Sequence, residues 1–310
     1  MIGLLGHLWL QARPALAKIE RGGAGRDYAS YYYAVQEAAG GGDPYDTAAL
    51  SARARQDGTR KAVHPYFYPP PFLLAAYWSR PLSLAEGYRT TFFVNEVALA
   101  GCLVVGAVGF GVPAWALALL LCTWTPIPDN AWMGQANLWA LFPALLGLWL
   151  VERRRDVTSE VGGGVLVGAA AMLKMSPALF LLWWLVQRRW RPVATAVATA
   201  VGLSLAALPL VPLDAQLRFY TEILPGFSRG DYHGLSVPIS LPANHSIPDL
   251  LDRAFPTAGS FLSPAAQRVS LVLSLSLLGL WGWVARRATD TAAAVCALSV
   301  LMVVVPVYTY

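Results

Sequence analysis

The sequence predicts an all-α, polytopic integral membrane protein, a bundle of whole and broken helices carrying two sizeable outward loops. Three observations predict it. Of the 310 residues, 56% are hydrophobic and only 13% are charged, against about 25% charged in ordinary soluble proteins. The apolar residues gather in runs, and a run of roughly twenty can cross the hydrocarbon core. Twelve Trp and thirteen Tyr add the amphipathic rings that favour membrane–water interfaces. The net charge of +5 does not point to nucleic acid, because the arginines form short clusters between apolar runs. Arg153-Arg154-Arg155, Arg188-Arg189-Trp190-Arg191 and Arg286-Arg287 read as cytoplasmic anchors under the positive-inside rule.

Along the chain, the first ten residues are apolar but too short to span, and no convincing small-residue cleavage site follows. A polar loop takes up about residues 19–65. Spans or half-spans follow at about 66–84, 90–110, 113–127, 132–151, 161–187, 192–213, 267–285 and 290–308. Helix breakers fall inside several of them, at Pro69 to Pro71, Pro143, Gly162 to Gly164 and Pro177. Breakers at membrane depth are tolerated where freed backbone groups line a cavity or pack on other helices, so re-entrant pieces are expected. With Arg153 to Arg155 and Arg188 to Arg191 both inside, 161–187 becomes a hairpin of two short pieces turning near Lys174-Met175-Ser176-Pro177. Segment 192–213 then runs outward and leaves 214–266 as the second outward loop. The basic residues of loop 19–65 (Arg21, Arg26, Arg53, Arg55, Arg60 and Lys61, with Lys18 just before) argue for the inside instead. No internal repeat is evident, and the chain reads as a single membrane-embedded unit over 1–310. Cys102, Cys122 and Cys296 all fall in apolar runs and read as buried structural thiols.

Several polar elements stand out against this background. Gly25-Arg26-Asp27-Tyr28-Ala29-Ser30-Tyr31-Tyr32-Tyr33 rings one acid with tyrosines near the bilayer, where burying it unpaired costs on the order of several kcal/mol. Asp27 is either a chemical group or the N-cap of a helix beginning at Tyr28. Gly42-Asp43-Pro44-Tyr45-Asp46 is a turn signal. His64-Pro65-Tyr66-Phe67-Tyr68-Pro69-Pro70-Pro71 leads back into the membrane on an extended path. Its Tyr66 and Tyr68 either stack on a sugar or anchor at headgroup level. Trp132-Met133-Gly134-Gln135-Ala136-Asn137 supplies amides that either bind sugar hydroxyls or tie helices together. Lys174, in the middle of an apolar hairpin, wants an anion, either a phosphate or the embedded acid Glu96. Leu241-Pro242-Ala243-Asn244-His245-Ser246-Ile247 offers phosphate donors and also fits a glycosylation sequon, while Asp231-Tyr232-His233 is a weaker candidate. No phosphate-binding glycine loop, dinucleotide fingerprint or zinc site is visible in the sequence.

In this order the elements resemble the multi-spanning glycosyltransferases of the GT-C superfamily that use lipid-phosphate sugars, most closely glycosyltransferase family 87. The resemblance implies an inverting transfer of a hexose, mannose first, from a polyprenyl-phosphate donor to a lipid or glycan acceptor. The reaction would run on the outer face of a bacterial plasma membrane, with membrane lipids as neighbours and no nucleic acid. It implies Asp27 as catalytic base and Lys174, His245 and His64 at the donor phosphate. Asn244, Tyr28, Tyr68 and Gln135 would shape the donor pocket. It implies no metal and no cofactor, and it puts loop 19–65 outside despite its charge, since long loops translocate largely regardless of it. It also implies further spans, so the chain is expected to be part of a longer protein. A lipid-linked sugar transporter, or an inactive relative, is the rival reading; broken helices and an embedded lysine suit a transporter equally.

Overall fold

A computed structural model of the chain describes residues 2–20, 25–59, 63–154, 156–227, 246–256 and 262–287, and every regular element among them is helical. The chain opens with α1 (Ile2–His7), a wide π turn (Leu8–Ala12) and α2 (Arg13–Glu20). The outward loop of the sequence reading is itself largely helical. It contains α3 (Arg26–Ala39), rich in buried tyrosines, and α4 (Thr47–Gln56), whose N-cap Asp46 accepts from the Ala48 and Ala49 amides.

The stretch expected as a span at 66–84 is not one. Pro69 to Pro71 carry no amide proton and so cannot extend a helix backward from Phe72, and only α5 (Phe72–Ala76) and a short 3-10 turn (Tyr77–Ser79) follow. The first long apolar helix is α6 (Leu84–Val104), started by a capping box between Ser83 and Glu86 and extended by a π turn over Val105–Gly109. Next come α7 (Ala114–Thr123), α8 (Pro126–Met133), α9 (Asn137–Arg154), α10 (Val157–Leu173), a 3-10 turn (Ser176–Leu179), α11 (Phe180–Val186) and α12 (Trp190–Ala206). Segment α13 (Leu213–Arg218), a π turn (Phe219–Ile223) and α14 (Leu224–Phe227) lead away from α12; α15 (Ile247–Ala254) and α16 (Pro264–Ala285) complete the described part. The expected span at 290–308 lies outside the described residues.

Two of the expected breaks are not breaks. Pro143 sits inside α9, and Gly162 to Gly164 sit inside α10. The reason is packing: a Cβ added at Gly163 would lie 2.5 Å from the Gly147 carbonyl oxygen and 2.4 Å from Val151 Cγ2. Small residues let α9 and α10 touch backbone to backbone, as in membrane helix pairs.

The expected hairpin is present, α10 and α11 turning at Lys174. Its far end is fastened by Arg189, which donates to Glu152 at 3.2 Å, to Glu160 at 3.0 Å and to the Val151 carbonyl at 2.6 Å. The clusters at 153–154 and 188–191 therefore share one end of the bundle. Lys174 lies at the other end of α10, whose 17 residues span about 25 Å.

Among the described residues, two helices are long and apolar enough to cross a membrane, Leu84–Gly109 and Pro264–Ala285. Their apolar side chains point away from the protein, with Val97 73% and Val272 62% exposed, as lipid-covered faces do. Polar contacts in this region face inward. His7, in α1, meets Glu96 of α6 at 2.8 Å and Gln11 at 3.2 Å, so the one embedded acid considered for Lys174 is taken by histidine.

Candidate active site

The N-cap of α3 is Gly25, in the left-handed region with φ +61°, and it makes no side-chain cap bond. Asp27 therefore lies inside the first turn rather than at the cap. That position suits a carboxylate electrostatically, since the helix dipole is positive there, and it leaves the side chain available to other elements. One oxygen, Oδ2, accepts from Gln135 Nε2 at 2.8 Å. The other, Oδ1, stands 3.7 Å from His64 Nδ1, with Asp27 21% and His64 39% exposed.

Gln135 is held there by its turn. Gly134 ends α8 in the left-handed region at φ +68°. A Cβ on it would come within 2.6 Å of Tyr28 Cβ and 2.8 Å of the Tyr88 ring. No other residue fits both the dihedral and the space. The turn is stitched to its neighbours: Gly25 N–H donates to the Trp132 carbonyl at 3.2 Å, and Asn95 Nδ2 donates to the Gln135 carbonyl at 3.0 Å. Asn137 Nδ2 then donates to Gln135 Oε1 at 2.6 Å, and Lys174 Nζ donates to Asn137 Oδ1. A carboxylate and an ammonium are thus joined through two side-chain amides of one turn, the four groups coming from three separate stretches of chain.

Tyr68 closes the other side. Its hydroxyl accepts from Tyr31 at 2.6 Å and its carbonyl accepts from the Tyr45 hydroxyl at 3.0 Å. Tyr31 lies one helical turn after Asp27. Burial, reinforced by the neighbouring Tyr68 and the Asp27 charge, pushes the Tyr31 phenol well above its ordinary range, so it stays a neutral donor.

The structure brings Asp27, His64, Tyr68, Gln135 and Lys174 to one end of the bundle. Tyr28 it does not bring: that ring is 2% exposed and stacked on Tyr88 at 5.6 Å, inside the core. Tyr66 is likewise buried, at 1%. The reason is helix phase, since a residue adjacent to Asp27 on a helix points about a quarter-turn away. Asn244 and His245 lie outside the described residues, as do Asp231, Tyr232 and His233. Ser246, beside them, caps α15 by accepting from the Asp249 amide at 3.2 Å. Sequence reasoning left Tyr31 unassigned, although its spacing of four from Asp27 was a usable signal, and it did not single out Asn137 within its motif.

An apolar recess of about 310 Å³ is lined by Met172, Ser204, Leu208, Gln216 and Tyr220 among others, and by none of the site residues. Met172 is two residues from Lys174. Among the described residues no cluster of His, Cys, Asp and Glu could hold a metal ion.

Comparison with known proteins finds glycosyltransferases. An alpha-(1->3)-arabinofuranosyltransferase of Mycobacterium tuberculosis is 28% identical over 166 residues, covering 52% of this chain and 37% of that protein. A polyprenol-phosphate-mannose-dependent alpha-(1-2)-phosphatidylinositol mannoside mannosyltransferase of Mycolicibacterium smegmatis is 29% identical over 183 residues, 53% of this chain and 40% of that protein. The match therefore spans well under half the length of these relatives. No solved structure matches. The profile of glycosyltransferase family 87, a family of membrane glycosyltransferases, matches residues 66–308, which is most of the chain, and the protein belongs to that family.

Proposed function

We propose that this chain moves a sugar from a polyprenyl-phosphate donor to an acceptor hydroxyl, with Asp27 as general base and inversion at the anomeric carbon. A neutral hydroxyl is a poor nucleophile, and a carboxylate within reach of its proton makes it a better one as the bond to phosphate breaks. The observation that carries this reading is the line Asp27–Gln135–Asn137–Lys174. It sets a proton acceptor and a cation two amides apart on one hydrogen-bonded line, as the base and the phosphate contact of a single site would be. Gln135 keeps Asp27 hydrogen-bonded without neutralising it. Lys174 and His64 supply positive charge or donors for the phosphate, Tyr68 a ring edge for the sugar. The recess beside Met172 takes the first isoprene units of the lipid. His245 and Asn244 remain proposed phosphate contacts from the second outward loop.

We place the site on the outer face of the membrane. The arginine clusters at 153–154 and 188–191 gather at the opposite end of the bundle, and the positive-inside rule assigns that end to the cytoplasm. Part of the basic charge in 19–65 is matched by acids, Arg53 pairing with Glu37 at 2.9 Å, which lessens its pull inward. A hexose, mannose first, is the proposed sugar, in line with the mannosyltransferase relative. A pentofuranose is the second reading, favoured by the arabinofuranosyltransferase relatives.

The test is Asp27→Asn, which preserves the shape and an acceptor for Gln135 but removes the base. Transfer from a polyprenyl-phosphate hexose or pentose in membranes, normalised to folded protein, should fall by about 10²–10⁴, with donor binding nearly unchanged. Wild-type turnover in the Asn variant would show that Asp27 is not the base.

A further inference from the structure

Segment Leu213–Ile223 has no role in the chemistry described so far, yet it touches supports of both arms of the site. Its π turn puts an extra residue in the helical repeat, and two neighbouring rings there, Phe219 and Tyr220, meet edge to face at 5.0 Å and 81°. Phe219, fully buried, stacks on Tyr45 at 5.4 Å and 28°. Tyr45 in turn donates to the Tyr68 carbonyl at 3.0 Å, and the Tyr68 hydroxyl bonds Tyr31, one turn from Asp27. Tyr220, edge-on to Phe219, carries its hydroxyl to 3.9 Å from Met172 Sδ, two residues before Lys174. The segment is fastened immediately before these rings. Arg218 pairs with Asp43 Oδ2, while Asp43 Oδ1 accepts from the Tyr45 amide at 3.0 Å. One carboxylate thus fixes both the strut and the tyrosine resting on it.

We propose that Asp43, Arg218, Phe219 and Tyr220 are positioning residues that set the distance between the Asp27–Tyr68 arm and the Lys174 arm. A half-exposed ion pair adds little stability by itself, and Arg218 and Asp43 are 41% and 30% exposed. Its use here is geometric, because π turns inside helices recur at functional sites and small misplacements of reacting groups are expensive in rate. The proposal rests on the glycosyltransferase reading for its kinetic part only.

The experiment compares Arg218→Ala, Arg218→Lys, Asp43→Asn and the double variant Arg218→Ala/Asp43→Asn, with Arg53→Ala as a control that breaks a different ion pair. Arg218→Ala and Asp43→Asn should each lower kcat roughly ten- to hundredfold with the donor KM nearly unchanged. The double variant should be no worse than either single one, and Arg218→Lys should recover most of the loss. Hydrogen exchange by mass spectrometry on the same proteins needs no substrate. Peptides over 63–79 and 170–180 should both exchange faster in Arg218→Ala, with 137–154 unaffected. Exchange that changes only around residues 43 and 218 would overturn the proposal, as would losses that add in the double variant or fall wholly in KM. Absence of transfer by the wild-type chain with either sugar donor would count against the glycosyltransferase reading instead, and the exchange result would still decide the strut.

Discussion

At the scale of single residues, Gln135 decides how Asp27 behaves. A neutral amide 2.8 Å from Oδ2 steadies the ionised carboxylate by donating to it. Gln135→Glu would replace that donor with a second carboxylate at the same distance. Two acids so close cannot both ionise easily, and one holds its proton to higher pH. Activity that needs ionised Asp27 should then be lost earlier on acidification, so the acid limb of kcat/KM moves to higher pH. Gln135→Met removes the donor without adding charge; it should slow transfer and move the limb far less. A limb that stays in place in Gln135→Glu would mean that Gln135 does not govern the base. Lys174 follows the same logic of satisfaction. Its ammonium is tolerable beside an apolar hairpin because Asn137 accepts from it, and Glu96 is engaged elsewhere by His7.

At the scale of elements, the helices that carry Lys174 are placed by close backbone contact. The triple glycine of α10 reads in the sequence as a break, yet its three members differ in what they face. Gly163 abuts the Gly147 carbonyl and Val151, whereas nothing lies within 4 Å of a Cβ built at Gly162. Gly163→Ala should therefore push α9 and α10 apart and cost about 1–3 kcal/mol, read as a lower thermal midpoint in detergent. Gly162→Ala, one residue away, should be neutral or slightly stabilising, since Ala is the better helix former by about 1 kcal/mol. Equal effects at both positions would rule out close packing as the reason for glycine here.

At the scale of the whole molecule, the two ends of the bundle differ in kind. One end carries Arg153, Arg154 and the Arg189 clamp on Glu152 and Glu160; the other carries Asp27, His64, Tyr68, Gln135 and Lys174. In a variant lacking the native cysteines, Gln56→Cys and Ser176→Cys should react with an impermeant thiol reagent added to intact spheroplasts. Thr158→Cys should react only after permeabilisation. Labelling of Thr158→Cys alone in intact cells would turn the protein over and move the proposed site to the cytoplasm.

What the sequence determined by itself was chemistry and order. Composition and apolar runs gave an all-helical protein; the Lys174 turn gave a hairpin; Asp27, Tyr68, Gln135 and Lys174 were picked out as polar groups too costly to place idly near a membrane. These are local properties, fixed by residue type and spacing. Whether a glycine breaks a helix or lets another helix approach is not local, and Gly163 could be resolved only against Gly147 and Val151. Helix phase likewise turned the buried Tyr28 ring onto Tyr88 and the equally buried Tyr31 hydroxyl onto Tyr68, although both belong to one tyrosine-rich run. The linkage of Asp27 to Lys174 runs through two amides of one turn, Gln135 and Asn137, which lies far in sequence from both. Only the packed structure decides it, because hydrogen bonds have a reach of about 3 Å and sequence carries no measure of distance between elements that meet only on folding.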